Sequence, residues 1–272
     1  MIPKRIWFLW LQGIEKAPAL VRTCLESWRY WNPEWRIEVL DWTRLETFLP
    51  SAAPLGTRWS RMHAAALSDL IRVNLLNRHG GVWTDATCLC RKPLDVWLPY
   101  LAQTGFFAFA NPAEDRLVAT WFLAAEPETR LVECWRDEAN RYWDSSYERE
   151  LIDIPELLWS PTYAPQRANR MLWFDEAQSY FETHYPYFWF HYLFERLMQN
   201  PACASQWHAV PKVSADIPHR LQHIGLDRPM SDEYVREFQR GIAPLYKLTH
   251  KRSIDHTDQG TLIGYCLDPE NW

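Results

Sequence analysis

The sequence lacks an excess of positive charge. Its 29 lysines and arginines are outnumbered by 34 aspartates and glutamates, which gives a formal net charge of −5 at pH 7. A surface that binds nucleic acid needs clustered positive charge to engage the phosphates, so this balance argues against a nucleic-acid partner. The sequence also lacks any apolar stretch near the ~20 residues that a membrane-spanning helix requires. We therefore expect at most peripheral association with a membrane.

Familiar cysteine and glycine motifs are also missing. The six cysteines form no Cys-x-x-Cys pair and have no zinc-type spacing with histidine. The cysteines are expected to be reduced, mostly buried thiols. We therefore expect a cytoplasmic protein, either free in the cytoplasm or associated with the inner face of the membrane. No P-loop, G-x-G-x-x-G fingerprint or Ser-His-Asp order is present. The sequence thus offers no evidence for a P-loop, dinucleotide or serine-nucleophile site.

Tryptophan, by contrast, is abundant, with 17 residues in a chain of 272. Its flat apolar face and single polar N–H suit it to stacking on sugar rings and nucleobases. Most of these residues are expected to lie in the core or at its edge, so the composition alone is only weak evidence for a carbohydrate ligand.

The first third of the chain alternates between apolar runs and amphipathic segments. Ile6–Leu11 predicts a strand covered on both faces, Pro18–Tyr30 a helix, and Arg36–Leu40 a second strand. Strand, helix and strand in this order are typical of a βαβ unit. A further helix, Trp59–Asn77, is ended by a glycine pair, and Val82–Leu89 predicts the next strand.

The rest of the chain predicts fewer strands and more helix. Phe106–Ala110 and Thr120–Ala124 have strand character, and Pro127–Trp143 and Asp175–Gln199 have helical character. Ser145–Trp173 is expected to be a long loop. We therefore expect one α/β domain over residues 1–272, with a mostly parallel, Rossmann-type sheet flanked by helices and a helical C-terminal region.

One segment combines charged side chains with a strand end. Asp69 and Arg72 stand three apart on a predicted helix, so they share one face. Asp85 follows the glycine pair and a short apolar strand, and ligands of open α/β sheets bind at the carboxyl ends of strands. A guanidinium suits phosphate, and a carboxylate suits sugar hydroxyls or a divalent cation. The alternative is an ordinary surface ion pair between Asp69 and Arg72, with Asp85 only ending a strand.

A motif known from one enzyme family spans this segment. It consists of Ser68-Asp69-x-x-Arg72, then Gly80-Gly81-Val82-Trp83, then Asp85. This pattern resembles the donor-binding core of glycosyltransferase family 32 and is most similar to its capsular polysaccharide synthesis branch. Ile2–Trp7 and Pro244–Lys251 are similar to the same family. The resemblance implies a GT-A-like fold, with residues 1 to about 125 binding the nucleotide sugar and about 126 to 272 forming the acceptor side.

The resemblance also implies a hexosyltransferase of polysaccharide synthesis. Such enzymes move a sugar from a nucleoside-diphosphate donor, here expected to be UDP-linked, to a glycan or lipid-linked glycan, usually with retention at the anomeric carbon. Two alternatives remain. One is a catalytically inactive module that binds sugar nucleotides, and the other is a sugar-phosphate transferase, which would release a nucleoside monophosphate.

The same resemblance assigns roles to individual residues. Asp85 and Arg72 are the expected catalytic residues, because Asp85 would touch the sugar and the metal-bound diphosphate and Arg72 would bridge sugar and diphosphate. Asp69 is expected to accept hydrogen bonds from ribose or sugar hydroxyls. Trp10, with Trp7 as the alternative, is expected to stack on the base. The expected donor-binding set also includes Ser68, Gly81, Lys247 and Lys251.

The family's Asp-x-Asp motif is altered at its third position, which is Thr87 in this chain. A hydroxyl is a weaker ligand for a hard dication than a carboxylate. We therefore expect a weakly held Mn²⁺ or Mg²⁺, with Asp85, Thr87 and His250 as the side-chain ligands. Lys247 and Lys251 are expected to neutralise the leaving diphosphate. The alternative for these lysines is a solvated basic segment.

Other histidines give little evidence of a site. His184 and His191, with Tyr187 between them, lie in an aromatic-rich segment and are expected to be packing residues. His219 and His223 stand four apart, but the predicted helix around them is short. That pair is therefore weak evidence for a metal site.

Overall fold

A five-stranded sheet forms the centre of the molecule. The computed structural model describes residues 1–50, 62–143, 149–152, 163–178, 180–249, 258 and 260–272. The strands in chain order are β1 (Arg5–Leu9), β2 (Arg36–Leu40), β3 (Gly81–Thr84), β4 (Cys88–Cys90), β5 (Phe106–Ala113), β6 (Arg116–Ala125), β7 (Glu150–Ile152), β8 (His184–Pro186) and β9 (Leu245–Lys247). Five of them form the central sheet, in the order β2-β1-β3-β6-β5.

The central sheet is mostly parallel. β1 pairs in parallel with both β2 and β3, whereas β6 is antiparallel to its neighbours β3 and β5. Four of the five strands therefore run in one direction, which confirms the predicted α/β class. Ile6, Trp7 and Phe8 of β1 are fully buried, as expected for a central strand covered on both faces.

Helices pack against the sheet and make up most of the C-terminal half of the described chain, as predicted. In chain order they are α1 (Ala19–Trp31), α2 (Trp42–Phe48), α3 (Ala64–His79), α4 (Leu98–Leu101), α5 (Arg130–Trp143), α6 (Ala164–Ala168), α7 (Trp189–Leu197), α8 (Pro201–Ala209), α9 (Asp216–Ile224), α10 (Asp232–Arg240) and α11 (Leu262–Leu267). Short 3-10 helices lie at Ile14–Lys16, Leu94–Val96, Arg170–Phe174 and Pro269–Asn271. α3 contacts β3 and β6, and α7 contacts β6. None of the helices in the described ranges combines the length and apolarity needed to cross a bilayer.

Two glycines let β3 lie directly beside β1. Gly80 follows the end of α3 and Gly81 begins β3, with φ angles of +62° and +97°. A Cβ atom on Gly81 would lie 2.6 Å from the carbonyl oxygen of Arg5, and one on Gly80 would lie 2.8 Å from that of Ala125. Glycine adopts such angles without strain because it has no Cβ. The pair therefore fixes where the helix stops and where β3 starts.

The prediction of one continuous strand over Val82–Leu89 is wrong, because the chain turns at Asp85. β3 ends at Thr84, and the backbone N–H of Cys88 donates to the carbonyl oxygen of Asp85 at 2.9 Å. β4 then pairs with β9 instead of joining the central sheet, with Cys88 opposite Lys247. The turn leaves Asp85 at the carboxyl end of β3.

The predicted helix Asp175–Gln199 is wrong over its first half. His184–Pro186 is strand β8, parallel to β7, and α7 begins only at Trp189. Pro186 has no N–H to donate and disfavours helical backbone at the residue before it, so the helical periodicity does not prevail there.

Two further predicted segments differ from the structure. The predicted loop Ser145–Trp173 contains β7, α6 and the start of a 3-10 helix, and its remaining residues lie largely outside the described ranges. The predicted helix Trp59–Asn77 corresponds to α3, and its first residues also lie outside them.

The tryptophans are mainly core residues, as expected. Trp28, Trp135 and Trp189 are fully buried along with Trp7. The cysteines also agree with the prediction of buried thiols: all six are free and only Cys134 is not fully buried. The aromatic content therefore belongs mostly to the core and not to a ligand.

Candidate active site

A cleft of about 510 Å³ opens at the carboxyl ends of β1 and β3. This is the edge at which open α/β sheets bind ligands. Its lining comes from the ends of β1 and β3, the start of α3, and the end of β9: Leu9, Trp10, Leu11, Gln12, His63, Ala64, Ala65, Ser68, Trp83, Asp85, Ala86, Thr87, Tyr187, Lys247 and Thr249. The cleft is where the sequence predicted the donor site.

Asp85 presents its carboxylate to this cleft. Its backbone N–H donates to the carbonyl oxygen of Trp121 at 2.8 Å, and its Oδ1 accepts from the indole N–H of Trp83 at 3.1 Å. Arg72 Nη2 lies 3.4 Å from Oδ1 and Lys247 Nζ lies 3.6 Å from Oδ2. The side chain is 28% exposed. The carboxylate is thus held between two cations with part of its surface open to a ligand.

Burial alone would raise the pKa of Asp85, but Arg72 and Lys247 outweigh it. These two cations, together with hydrogen bonds from Trp83 and Lys247, hold the pKa of Asp85 below its ordinary value. Asp85 is therefore ionised at neutral pH and can accept hydrogen bonds from sugar hydroxyls.

Arg72 lies beneath Asp85 and does not line the cleft. Its side chain is only 5% exposed. Nε donates to the carbonyl oxygen of Ser68 at 3.2 Å, Nη1 to that of Thr120 at 2.5 Å, and Nη2 to Ser68 Oγ at 2.8 Å. The guanidinium also lies 5.0 Å from the centre of the Trp83 ring. Arg72 therefore holds Asp85 from below the surface of the cleft, and its predicted contact with the diphosphate stays a prediction.

Asp69 is buried and contacts the same guanidinium nitrogen as Asp85. Its Oδ1 lies 3.2 Å from Arg72 Nη2. Burial, opposed by Arg72 and reinforced by the charge of Asp85, raises the pKa of Asp69 to about 7. Asp69 is also absent from the cleft lining. The predicted contact between Asp69 and ribose or sugar hydroxyls stays a prediction.

Lys247 contacts both ends of the turn Asp85-Ala86-Thr87. Its Nζ donates to Thr87 Oγ1 at 2.6 Å and to the carbonyl oxygen of Leu248 at 3.2 Å. The lysine side chain is 17% exposed, and Thr87 is buried. The ammonium therefore contacts both functional positions of the turn, Asp85 and Thr87, and still lines the cleft.

The described residues do not fit a preformed divalent-cation site. Hard dications prefer several carboxylate or carbonyl oxygens, but Asp85 is the one carboxylate in the lining, and the hydroxyl of Thr87 already accepts from Lys247. No group of three or more acidic, histidine or cysteine side chains able to hold a metal occurs within the described ranges. The predicted ligand His250, like Lys251, lies outside those ranges, and the predicted cation stays a prediction.

The two tryptophans of the first strand region differ in position. Trp10 lines the cleft, and its predicted stacking on the base stays a prediction. Trp7 is fully buried, and its indole N–H donates to the carbonyl oxygen of Gly80 at 2.9 Å. Gly81 is likewise buried at the opposite end of β3, while Ser68 lines the cleft. Trp7 and Gly81 are therefore buried and absent from the cleft lining, and their predicted donor contacts stay predictions.

The sequence reasoning missed several lining residues, among them Gln12, His63 and Tyr187. Gln12 lies just beyond β1, so the rule that ligands bind at strand ends could have identified it. His63 is the N-cap of α3 and accepts from the backbone N–H of Ala65 at 3.3 Å. No motif in the sequence predicts this position. Tyr187 was expected to be a packing residue, but it lines the cleft from the segment before α7.

Sequence comparison shows that this chain is similar to proteins named as glycosyltransferases. The chain is 26% identical over 187 residues to glycosyltransferase afumC of Aspergillus fumigatus, which covers 61% of this chain and 47% of that protein. It is 27% identical over 169 residues to a probable glycosyltransferase, FCK3, of Fusarium pseudograminearum, which covers 57% of this chain and 43% of that protein. The chain thus spans less than half the length of these curated relatives.

A solved structure and a family model also match. The solved structure, PaToxG Glycosyltransferase, aligns over 76% of this chain and 74% of its own, with a TM-score of 0.44 and 13% identity. The family model for capsular polysaccharide synthesis protein matches residues 1–154 and 171–266. Because that match takes in most of the chain, including the cleft, the chain belongs to the capsular polysaccharide synthesis protein family.

Proposed function

We propose that this chain is a glycosyltransferase that moves a sugar from a nucleoside-diphosphate donor, UDP-linked, to a glycan or lipid-linked glycan in polysaccharide synthesis. One observation carries the proposal: an ionised Asp85 sits at the carboxyl end of β3, between Arg72 and Lys247, in a cleft that also exposes Trp10. A carboxylate, a cation and an aromatic face are the groups that a sugar, a diphosphate and a base need. Membership of the family and the named glycosyltransferase relatives support the same activity.

The chemistry of such a transfer needs little from the protein beyond positioning and charge. The acceptor oxygen forms a bond to the anomeric carbon as the bond to the diphosphate breaks. The electron pair goes to a phosphate oxygen of the leaving group, and that oxygen takes up the proton of the acceptor hydroxyl. Lys247 would stabilise that developing charge, because a preorganised cation acts without reorganising solvent. Asp85 would orient the sugar through its hydroxyls. With retention, the acceptor attacks on the face that the diphosphate leaves.

Replacing Trp10 by alanine is expected to weaken UDP binding by ~1–3 kcal/mol, the range for stacking of one base on an aromatic side chain. Isothermal titration calorimetry with UDP measures the effect. Trp42→Ala is the matched control, because Trp42 is exposed and does not line the cleft. If Trp10 only packs against the core, its removal will lower the melting temperature but leave UDP affinity equal to that of the control.

The direct test of the proposed function is a panel of nucleotide sugars. Thermal shift identifies the donor, since a ligand that binds the folded state raises its apparent stability by mass action. Incubation with that donor should then release a nucleoside diphosphate, by hydrolysis or transfer. Binding without any release would favour an inactive sugar-nucleotide-binding module. Release of a nucleoside monophosphate would favour a sugar-phosphate transferase.

A further inference from the structure

We propose that Lys247 takes the place of a divalent cation in this cleft, so that the chain binds the donor diphosphate without metal. The inference rests on the proposed function and concerns the same site. It starts from the disagreement between the resemblance, which implies a metal at Asp85 and Thr87, and the described residues, which do not fit one.

The position of the ammonium is the first support. Lys247 Nζ lies 2.6 Å from Thr87 Oγ1 and 3.6 Å from Asp85 Oδ2. A dication bound to the same two oxygens would lie roughly 2.0–2.6 Å from each. The ammonium and the dication would then occupy overlapping space and repel each other strongly in a partly buried site. One of the two cations excludes the other.

The charge of the turn is the second support. A motif of two carboxylates and a dication is neutral. Here the third motif position is a neutral threonine, and one carboxylate, Asp85, faces one ammonium, Lys247. That pair is also neutral. The neutral threonine and the ammonium therefore leave the turn with the same net charge as two carboxylates and a dication, and the diphosphate meets a similar local charge in both arrangements.

The rigidity of Lys247 is the third support. Its backbone is fixed in β9 opposite Cys88 of β4, and its carbonyl oxygen accepts from the side-chain amide of Gln222 at 2.8 Å. The side chain is anchored by Thr87 and the carbonyl oxygen of Leu248. A lysine on a free surface would have to be ordered by its ligand, whereas this one is already in place. Such preorganisation is what a substitute for a bound metal requires.

The experiment measures binding of UDP and GDP by isothermal titration calorimetry, once in EDTA and once with Mn²⁺. The unaltered chain is expected to bind at least one nucleotide in EDTA, with an affinity within about 3-fold of that in Mn²⁺. Lys247→Met is expected to weaken binding in EDTA by about 10- to 100-fold, the range for loss of a hydrogen bond to a charged group. Lys247→Arg keeps the charge and is expected to lose less.

A matched control guards against a general effect of losing a lysine. Lys212 is also partly buried, donates to the carbonyl oxygen of Val210 at 2.6 Å, and does not line the cleft. Lys212→Met is expected to bind nucleotide as the unaltered chain does. Circular dichroism and thermal melting show whether each variant folds. If Lys247→Met does not fold, nucleotide binding by the unaltered chain in EDTA still decides whether binding needs a metal.

A second variant tests the exchange of the two cations directly. Thr87→Asp combined with Lys247→Met restores two carboxylates and removes the ammonium. This double variant is expected to bind nucleotide with Mn²⁺ and to lose at least about 10-fold in affinity in EDTA, since a hard dication gains a carboxylate ligand. Metal dependence would then have been created by exchanging the ammonium of Lys247 for a second carboxylate at position 87.

Two results would overturn the inference while leaving the proposed function standing. One is nucleotide binding by the unaltered chain with Mn²⁺ but not in EDTA. The other is a folded Lys247→Met variant that binds in EDTA as tightly as the unaltered chain. Absence of nucleotide binding in both buffers would instead overturn the proposed function, and the inference with it.

Discussion

Replacing Asp85 by asparagine is expected to lower donor turnover by at least ~10²-fold while the fold is retained. The amide keeps the shape of the side chain and one acceptor oxygen for the indole N–H of Trp83. It removes the negative charge that Arg72 and Lys247 both face at 3.4 and 3.6 Å. The sugar would then meet a neutral group, and both cations would shift towards other partners. Release of nucleoside diphosphate from the identified donor measures the effect.

The chain contains a closely matched control for this substitution. Asp95 also pairs with a lysine, Lys4, at 2.7 Å and accepts from the indole N–H of a tryptophan, Trp35, at 3.2 Å. It does not line the cleft. Asp95→Asn should keep turnover near that of the unaltered chain. A folded Asp85→Asn variant with turnover equal to the Asp95→Asn variant would remove Asp85 from the site.

Replacing Arg72 by methionine is expected to lower the free energy of unfolding by about 3 kcal/mol and to abolish most activity. The guanidinium donates to Ser68 and Thr120 inside the protein and pairs with Asp69 and Asp85. Removing one member of a buried ion pair leaves an uncompensated charge, which is strongly destabilising. Asp69, with its pKa of about 7, can take up a proton and limit that cost. Urea unfolding measures the stability change.

An exposed pair with the same sequence spacing gives the comparison. Glu26 and Arg29 also stand three apart on a helix, α1, with side chains 57% and 51% exposed. Arg29→Met is expected to change the free energy of unfolding by ~0.5 kcal/mol or less, because solvent screens an exposed pair. Equal effects of Arg29→Met and Arg72→Met would contradict the central position of Arg72 beneath the cleft.

The parts of the fold that the sequence predicted best are those with local signals. The strand Arg36–Leu40 and the helix ending at the Gly80 pair follow from periodicity, propensity and glycine geometry, which act within a few residues. The location of Asp85 followed from a general rule about strand ends. The same local evidence missed the turn after Thr84, because the strand-favouring residues on both sides outweighed the two residues, Asp85 and Ala86, that interrupt them.

The parts that the sequence could not predict depend on contacts between distant segments. Helical spacing placed Asp69 and Arg72 on one face but did not say that this face is buried against β6, where Thr120 accepts from Arg72. The aromatic periodicity around Tyr187 predicted a helix, and the pairing of β8 with β7 prevailed instead. Residue type alone could not separate Trp7 from Trp10, since both are tryptophans within the predicted strand Ile6–Leu11, whereas β1 ends at Leu9.

The pairing of β9 with β4 also has a consequence for the order of assembly. Every strand of the central sheet lies between Arg5 and Ala125, so that sheet can begin to form while later residues are still being synthesised. Lys247 reaches Thr87 across a sequence separation of 160 residues. Closing contacts of such separation is slow compared with local structure. The nascent protein therefore has its scaffold before Lys247 reaches the cleft, and the proposed diphosphate site is expected to form late in folding.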